Sequence, residues 1–247
     1  MLDRVWGIAR SLVIYHGQPT KHRRLRRLYS QFLGPGDIGF DIGAHVGGRV
    51  RQWRKLGARV VAVEPQPDCL RVLRFLFGRD KGVTVLPVAV GERPGKASLA
   101  LSTTNPTVSS MSQEWRDSVS GAFHGVRWDR SVEVEVVTLD ELIARHGEPA
   151  FCKIDVEGFE PQVLAGLSRP VRALSVEYVP SVHDTAIATL HMVDKLGAAG
   201  GGYRYNYSLV ETARMVSDEW LDMPGLLALL ERLRPSGLSG DVYARLP

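Results

Sequence analysis

Acidic side chains stand at the ends of two apolar runs that the sequence predicts as buried strands. Asp155 ends the run Phe151–Asp155, and Glu157 follows two residues later. Glu177 lies near the end of the run Ala173–Tyr178. A carboxylate beside a hydroxyl group can take its proton while the oxygen attacks an electrophile. We therefore place general-base chemistry at these strand ends, with Asp155 as the first candidate.

A lysine accompanies the first of these carboxylates. Lys153 precedes Asp155 by two residues, so both side chains lie on the same side of the strand. A lysine in an otherwise apolar, central strand loses its solvation unless it is paired. We expect an ion pair with Asp155, Glu177 or another nearby carboxylate; the alternative is that this group only stabilises the sheet edge and the helix start. The runners-up for the base are Glu157 and His183, which follows the fifth predicted strand.

The same region raises the question of a metal ion. Four carboxylates there offer the oxygen ligands that divalent cations prefer: Asp155, Glu157, Glu160 and Glu177. Glu160, at the start of a predicted helix, has a simpler role in a favourable interaction with the helix dipole. We therefore favour a site without a metal, and a divalent cation held by these carboxylates stays open as the alternative. His124, in a long polar stretch, is more typical of a surface histidine than of a base.

A glycine-bearing turn, Phe40–Gly48 (FDIGAHVGG), lies where the first predicted strand passes into a helix. Gly43 permits the tight turn, and the new helix presents free backbone N–H groups and the positive end of its dipole. Glu64 ends the next predicted strand about 20 residues later, where an acidic side chain can accept hydrogen bonds from ribose hydroxyls. In a predicted βαβ unit these features together indicate a nucleoside ligand.

His45 indicates which nucleoside binds. A dinucleotide fingerprint G-x-G-x-x-G aligned on Gly43 requires glycine at position 45, where the backbone approaches a pyrophosphate. S-adenosylmethionine has no pyrophosphate and places its carboxylate and ammonium groups at this turn. A side chain is then tolerated, and Asp41 can attract the ammonium, directly or through water. The alternative is that His45 opens the helix without contacting a ligand.

Short apolar runs alternate with helical stretches from Asp37 onward. Strands separated by helices of about a dozen residues imply parallel pairing, with helices on both faces of the sheet. The pattern predicts an α/β, doubly wound, Rossmann-like fold. The predicted strands are Ile38–Ile42, Arg59–Val63, Val83–Val90, Phe151–Asp155, Ala173–Tyr178, Tyr203–Tyr207 and Asp241–Leu246. The predicted helices are Val46–Leu56, Asp68–Phe77, Leu139–Arg145, Pro161–Leu167, Asp184–Leu196 and Pro224–Leu233.

We predict one domain over residues 1–247, with a helical extension at 1–34 and an inserted hairpin and loop at 91–137. The first helix places one apolar face on Leu2, Val5, Trp6, Ala9, Leu12 and Val13. A basic helix capped by Thr20 follows, and Gly34-Pro35-Gly36 ends it. We expect these helices to pack over the ligand pocket. Acceptor specificity is expected in the insertion, because long irregular loops in compact domains are often binding loops.

The composition of the chain disfavours several classes of protein. The 247 residues carry a net charge of +4, and none of their apolar stretches reaches the roughly 20 residues that span a bilayer. Cys69 and Cys152 have no metal-ligand or redox spacing, so we expect a reduced, cytoplasmic protein without an integral membrane segment. Five of the residues 21–27 are Lys or Arg. We favour a solvated helix face there over a patch for nucleic acid, a lipid head group or another anionic partner.

The sequence resembles the FkbM-type family of S-adenosylmethionine-dependent methyltransferases over residues 36–247. The matching segments are FDIGAHVGG (40–48), VVAVEPQP (60–67), VAVGERPG (88–95), VTLDEL (137–142), KIDVEGFEPQVLAG (153–166) and LSVEYVP (174–180). YNYS (205–208) and GDVYA (240–244) also match the tail of this group. The first two segments are shared by many methyltransferases, so the combination of VTLDEL with KIDVEGFE is the specific part.

The resemblance implies a class I methyltransferase fold with a seven-stranded, mostly parallel sheet whose last strand is antiparallel. It also implies S-adenosylmethionine as donor and a hydroxyl oxygen of a small molecule, such as a sugar or secondary metabolite, as acceptor, with no nucleic acid. The donor pocket then comprises Asp41, Gly43, His45, Gly47, Glu64, Pro65, Ala89 and Asp155. Similar family members carry serines in the insertion, which makes Ser109 and Ser110 candidates for substrate or donor contacts.

Two alternatives to this function stay open at this point. An NAD(P)-dependent Rossmann oxidoreductase has the same fold class, although His45 at the central glycine position argues against it. A non-catalytic nucleoside-binding protein would keep the same pocket, and only a methyl-transfer assay separates it from an enzyme.

Overall fold

Strands and helices alternate along most of the chain in the computed structural model, which describes residues 2–102, 109–113, 116, 128–210 and 212–247, with the backbone alone at 2–5 and 19. The strands are β1 (Ile38–Ile42), β2 (Arg59–Val63), β3 (Val83–Leu86), β4 (Ala89–Val90), β5 (Gly95–Ser102), β6 (Trp128–Val137), β7 (Phe151–Ile154), β8 (Ala173–Tyr178), β9 (Arg204–Leu209) and β10 (Gly240–Arg245). The helices are α1 (Leu2–His16), α2 (Pro19–Tyr29), α3 (Gly48–Lys55), α4 (Pro67–Phe77), α5 (Leu139–His146), α6 (Glu160–Ala165), α7 (His183–Ala198) and α8 (Met223–Leu233).

The central sheet has seven strands in the order β3-β2-β1-β7-β8-β10-β9. Neighbouring strands pair in parallel except at β10, which runs antiparallel to both β8 and β9. The chain proceeds outward from β1 to β3 and then returns to the other side of β1 at β7. Such a reversal opens a ligand crevice at the carboxyl ends of the two strands. The predicted doubly wound α/β fold with an antiparallel last strand is confirmed.

The strand register brings polar residues from distant parts of the chain together. Asp41 of β1 is paired with Lys153 of β7, and Lys153 is paired with Ser175 of β8. Because β10 runs in the opposite direction, Asp241 near its beginning is paired with Glu177 near the end of β8. The carboxyl edge of the sheet therefore gathers side chains that lie up to 200 positions apart in the sequence.

Apolar side chains cover both faces of the sheet. On one face, an extensive cluster joins strands to the later helices through Phe40, Ile42, Leu142, Ile154, Val163, Leu190 and Leu226. On the other face, α2 and α3 pack through Tyr29, Phe32, Trp53, Phe151 and Tyr243. Residues at every second position of a strand share a face. Lys153 therefore lies on the side of the sheet that carries Phe151 and faces α2 and α3.

The two N-terminal helices bury different kinds of surface. Leu28 and Tyr29 of α2 are buried, and so is Phe32 just beyond it. Two members of the apolar face predicted for α1 point to solvent instead, with Trp6 74% and Val13 70% exposed. Leu12 of the same face is partly buried. None of the helices in the described part of the chain is both long and apolar enough to cross a membrane.

Four local expectations are corrected by the structure. The basic helix expected to end at Gly34-Pro35-Gly36 ends at Tyr29, with Ser30 as its C-cap. The predicted strand Val83–Val90 is two strands in two different sheets, because Pro87 lacks the N–H needed to continue a ladder. The helix expected from Val46 begins at Gly48. Thr20 is not the cap of α2: the helix begins at Pro19, whose fixed φ suits the first helical position.

The insertion predicted at 91–137 contributes a second, smaller sheet. Its strands lie in the order β4-β6-β5, with β5 antiparallel to β6 and β4 parallel to β6. Ala100 of β5 also forms an isolated antiparallel β-bridge with Ser110, which lies between β5 and β6 in the sequence. The Ala89–Val90 strand therefore couples the insertion to the end of the central sheet.

Candidate active site

A cavity of about 240 Å³ opens at the carboxyl edge of the central sheet. Its walls come from the turn after β1, the ends of β2, β7 and β8, the start of β10, and the N-terminal helices. Among the residues predicted from sequence, those that line it are Gly43, His45, Glu64, Pro65, Ala89, Ser109, Asp155, Glu157 and Glu177. Tyr15, Lys21, Leu25, Leu28 and Tyr29 line it from α1 and α2, as expected for helices that pack over the pocket.

The Gly43 turn is tied down by its own backbone. Gly43 has φ +85°, and a Cβ there would collide with the carbonyl oxygen of Asp155. The N–H groups of Gly43 and Ala44 both donate to the carbonyl of Val63, each at 3.0 Å. The helix begins only at Gly48, and the N–H groups that lack an intrahelical partner belong to its first turn.

Glu64 supports this turn from the end of β2. Its carboxylate accepts from the N–H of His45 at 2.7 Å and from the N–H of Gln66 at 2.8 Å, one bond on each oxygen. Burial raises the pKa of Glu64 to about 7 in spite of these two hydrogen bonds. Each carboxylate oxygen has a second lone pair. Glu64 thus shapes the turn and keeps acceptor capacity toward the cavity.

His45 occupies the turn and does not open the helix. Its backbone has φ +49°, and its ring makes an edge contact with Tyr15 at 5.2 Å between centroids. Its buried Nε2 has no hydrogen-bond partner among the residues that the structure describes. Burial lowers the pKa of His45 to about 4, so the ring is neutral at physiological pH.

Gly47 serves packing. It is the N-cap of α3 with φ +78°, and a Cβ there would clash with Phe77 and crowd Leu73. It is not among the described residues that line the cavity. Close contact between α3 and α4 explains the glycine without a ligand.

Asp41 lies one residue before the end of β1 and is fully buried. Neither of its carboxylate oxygens has a hydrogen-bond partner among the described residues. Burial raises its pKa to about 6, although the nearby charge of Arg49 opposes this shift. A buried polar group without a partner is rare in folded proteins and calls for a ligand, a water or a functional reason.

Asp155 is held by two cations. Its Oδ2 accepts from Arg49 Nη2 at 2.7 Å and lies 3.5 Å from Lys153 Nζ. Burial alone would raise the pKa of Asp155, but Lys153 and Arg49 hold it below the ordinary value. Lys153 itself is fully buried and has its shorter contact, 2.5 Å, with Asp241. The predicted ion pair with Asp155 exists, while Asp241 is the closer partner.

Arg49 and Asp241 were missed as site residues by the reasoning from sequence. Arg49 is the second residue of α3, directly after the glycine turn, and Asp241 lies in the GDVYA segment. Both line the cavity. The buried Lys153 was a signal that at least one further carboxylate must be near, but only the register of β10 identifies it.

Glu157 and Glu177 face the cavity without a cation of their own. Neither side chain makes an ion pair or hydrogen bond with a described residue. Burial, followed by repulsion from Glu177, raises the pKa of Glu157 well above its ordinary value. Burial and then repulsion from Asp155 do the same for Glu177. One oxygen of each of these three carboxyl groups lies within 4.8 Å of the others, close enough to share a proton or a cation.

The loop that carries Glu157 is held in a specific shape. Glu157 has φ +53°, which is uncommon for a residue with a side chain. The Ser110 hydroxyl donates to the carbonyl of Glu157 at 2.6 Å. Glu160 Oε1 accepts from the N–H of Val156 at 3.0 Å and of Gly158 at 3.4 Å. Glu160 therefore organises the loop in addition to starting α6, and Ser110 connects the insertion to it.

Two predicted histidines stand apart from this arrangement. His183 begins α7, where its Nδ1 lies 3.0 Å from the Tyr178 hydroxyl and its Nε2 lies 3.9 Å from Glu231. It is not among the described cavity-lining residues, so we do not propose it as the base. His124 lies outside the described residues.

The chain was compared with curated proteins and with solved structures. No curated protein matches the chain. Three solved structures with low similarity are a precorrin-6y C5,15-methyltransferase from Geobacter metallireducens GS-15, a TehB-like SAM-dependent methyltransferase from Corynebacterium glutamicum and a putative O-methyltransferase from Klebsiella pneumoniae. Their identities are 12%, 10% and 12%, and their TM-scores are 0.49, 0.46 and 0.46. The alignments cover 90%, 96% and 97% of this chain and 87%, 94% and 89% of theirs.

The match to a protein family is more informative than these similarities to solved structures. The sequence profile of the methyltransferase FkbM domain matches residues 41–205, which is more than half of the chain. The matched range begins at the buried Asp41, contains the glycine turn and all three clustered carboxylates, and ends in β9. The chain belongs to the FkbM methyltransferase domain family.

Proposed function

We propose that the chain is an S-adenosylmethionine-dependent O-methyltransferase whose acceptor is a small hydroxylated molecule, such as a sugar or a secondary metabolite. The observation that carries this proposal is a cavity whose lining contains two chemically different groups of residues, which we call its two ends. Glu64 and the Gly43 turn form the first end, and Glu157 and Glu177 form the second. Family membership supports methyl transfer. Unpaired carboxylates support an acceptor oxygen that has to lose a proton.

The first end fits the chemistry of the donor. Asp41 is fully buried and is not among the described residues that line the cavity. Its two unpartnered oxygens suit an ammonium group that they meet through water. Glu64 keeps one lone pair on each oxygen for ribose hydroxyls. Pro65 and Ala89 offer apolar surface for an adenine ring. Gly43 keeps the turn close to the end of β7, where a Cβ would not fit.

The second end supplies the base. Bound S-adenosylmethionine would bring a methyl group already activated by its positive sulfur, so the chain has to position the acceptor and accept its proton. Asp155, the first candidate from sequence, is a weak base because Arg49 and Lys153 stabilise its ionised form. Glu157 lines the cavity and has no such cation. Burial and the neighbouring carboxylates raise its pKa, so its carboxylate, once ionised beside a positively charged sulfonium, is the stronger base. We assign proton acceptance to Glu157.

Glu177 is proposed to orient the acceptor. It lies on a strand, faces the same cavity and can accept a hydrogen bond from a second hydroxyl of the acceptor. Glu157 lies instead on a loop with a left-handed backbone, a conformation that costs free energy of order 1 kcal/mol and recurs at functional sites. Ser110 and Glu160 hold that backbone in place.

The experiment that tests this function combines binding with turnover. Calorimetry with S-adenosylmethionine, S-adenosylhomocysteine, NAD and NADP should show binding of the first two alone. A panel of hydroxylated sugars and secondary metabolites is then screened by mass spectrometry for the gain of one methyl group. Binding of NAD or NADP would contradict the assigned donor. Donor binding without methylation of any acceptor in a broad panel would favour the non-catalytic alternative.

Methyl-transfer activity in the presence of a chelator distinguishes a carboxylate base from a metal site. We expect activity to be unchanged by EDTA, because Glu157 accepts the proton without an ion. Loss of activity with EDTA and its recovery with Mg²⁺ would show that Asp155, Glu157 and Glu177 coordinate a cation, and the assignment of Glu157 as base would be wrong.

A further inference from the structure

Helix α1 presents an apolar face to solvent. Trp6 and Val13 are 74% and 70% exposed, and Ala9 and Arg10 between them are exposed as well. These positions have the spacing i, i+3, i+4 and i+7, which places them on one side of a helix. The small Gly7 and the polar Ser11 are buried instead. Trp6 and Val13 therefore point away from the protein, while Ile8, Leu12 and Ile14 are partly buried.

The next helix, α2, is strongly basic where it is exposed. Arg23, Arg24 and Arg27 lie at its surface and make no ion pair with a described residue. Residues 1–29 contain seven Lys or Arg and one acidic residue, whereas residues 30–247 contain 24 Lys or Arg and 26 Asp or Glu. The positive charge of the chain is thus concentrated in its first two helices, and the rest is slightly acidic.

Both helices also form part of the cavity wall. Tyr15 of α1 and Lys21 of α2 line the cavity, and the Lys21 ammonium lies over the Tyr15 ring at 5.6 Å from its centroid. Gly17 and Gln18, which connect the helices, are exposed. A surface that covered the exposed sides of α1 and α2 would therefore lie beside the cavity.

We propose that α1 and α2 dock the protein on an anionic membrane surface. An interfacial helix inserts Trp and aliphatic side chains among the head groups while nearby Lys and Arg meet anionic lipids. A second copy of this chain is disfavoured, because a two-fold interface would bring the same arginines against each other. Nucleic acid would be attracted by the arginines but would leave Val13 without a partner. The proposal does not depend on the identity of the acceptor.

Vesicle co-sedimentation of the full chain tests this docking. The probes are vesicles of phosphatidylcholine alone and of phosphatidylcholine with phosphatidylglycerol as about one third of the lipid. We expect binding to the anionic vesicles only, weakened as salt rises from about 0.1 M to about 1 M. Replacing Arg23, Arg24 and Arg27 by Gln should weaken binding on the order of 100-fold, since each charge near the surface contributes roughly fivefold. The pair Trp6→Ser and Val13→Ser should abolish the binding that survives high salt.

Matched controls come from other surfaces of the chain. Lys55, Arg59 and Lys81 are exposed at the opposite edge of the sheet, and Phe75 is 88% exposed on α4. Replacing the three cations by Gln, or Phe75 by Ser, should leave vesicle binding unchanged. Equal effects of test and control variants, or equal binding to neutral vesicles, would overturn the proposal. The proposal would also be wrong if the chain did not bind anionic vesicles and instead formed a dimer that depends on Trp6, as measured by light scattering. The same holds if it did not bind these vesicles and instead bound RNA or DNA through the arginines.

Discussion

The carboxyl edge of the sheet holds two groups of buried or partly buried acids that differ in how their charge is balanced. Asp155 and Asp241, the paired acids, lie within ion-pair distance of Lys153 or Arg49. The unpaired acids are Asp41, Glu157 and Glu177, which have no such partner among the described residues. Both groups lie within a few strands of each other, so their difference reflects the local arrangement of cations and not depth alone.

The presence or absence of a paired cation distinguishes acids with a structural role from acids that are available to bind a ligand. A buried charge with a good partner is stable, whereas one without a partner shifts toward its neutral form. The pKa of Asp155 is accordingly lowered by Lys153 and Arg49 in spite of burial, and burial raises the pKa of Asp41, Glu157 and Glu177. The unpaired acids therefore destabilise the ligand-free protein and become favourable when a cation or a hydroxyl group arrives.

The largest expected effect concerns turnover. Replacing Glu157 by Gln should lower kcat by about 10²–10⁴-fold, the usual contribution of a positioned base. Asp155→Asn should lower kcat less, because Asp155 acts through the charges that it holds. Glu133→Gln, at an exposed ion pair with Lys96, is the control with the same chemical change. Donor affinity and melting temperature are measured for each variant. If Glu157→Gln turned over at the parent rate while Asp155→Asn did not, the roles of the two carboxylates would be reversed.

A second test breaks the paired group. Replacing Lys153 by Met leaves Asp155 and Asp241 without their buried cation and should destabilise the fold by about 3–5 kcal/mol. Adding Asp241→Asn to Lys153→Met should restore part of that stability, because one uncompensated charge is removed. Urea unfolding measures both variants. Lys96→Met removes an exposed pair instead and should have little effect. Equal stability of the Lys153 and Lys96 variants would show that the buried pair contributes nothing.

The fold was predictable from sequence to the extent that it depends on local patterns. The bounds of β1, β2 and β8 agree with prediction because apolar runs, flanking charges and the glycine turn all coincide there. The Arg49–Asp155 and Lys153–Asp241 contacts join residues 106 and 88 positions apart. Such contacts depend on strand register and on the direction of β10, which local patterns do not encode.

Two further differences have local causes that periodicity does not detect. The period of α1 identifies an apolar face, but it does not say whether that face meets the core or solvent. The exposure of Trp6 depends on how α1 lies against the sheet. Asp155 was preferred as the base because it ends a central strand. Its two cations, one of them on α3, give it a different role from that of Glu157.

A third test uses the pH dependence of stability. The pKa of Asp41 is raised from an ordinary value of 3.8 to about 6, so the folded chain binds this proton more tightly than the unfolded chain. The resulting stability is fully present below about pH 4 and is lost as pH rises through about 6. Asp41→Asn should therefore stabilise the ligand-free protein by up to about 3 kcal/mol at pH 8, but not at pH 4.

The same substitution should act in the opposite direction on donor binding. Loss of a charged hydrogen-bond partner for the ammonium should weaken affinity for S-adenosylmethionine by about 1.5–3 kcal/mol. Urea unfolding at both pH values and calorimetry at pH 8 give the two measurements. A variant that is less stable than the parent at pH 8 would show that Asp41 has a structural partner and belongs with the paired acids. A variant that binds the donor equally well would show that Asp41 does not interact with the ammonium group.

The smallest expected effect compares two buried serines. Ser110 and Ser175 are both fully buried, but the Ser110 hydroxyl donates to Glu157 and accepts from the N–H of Ser112, whereas Ser175 Oγ has no partner among the described residues. Ser110→Ala should destabilise the protein by about 1 kcal/mol, since two backbone groups lose a hydrogen bond. It should also lower kcat several-fold with unchanged donor affinity, because the left-handed backbone of Glu157 is then free to relax. Ser175→Ala should leave both stability and kcat near the parent values. If the two variants behaved alike, the insertion would not position the proposed base, and Glu160 alone would hold the loop.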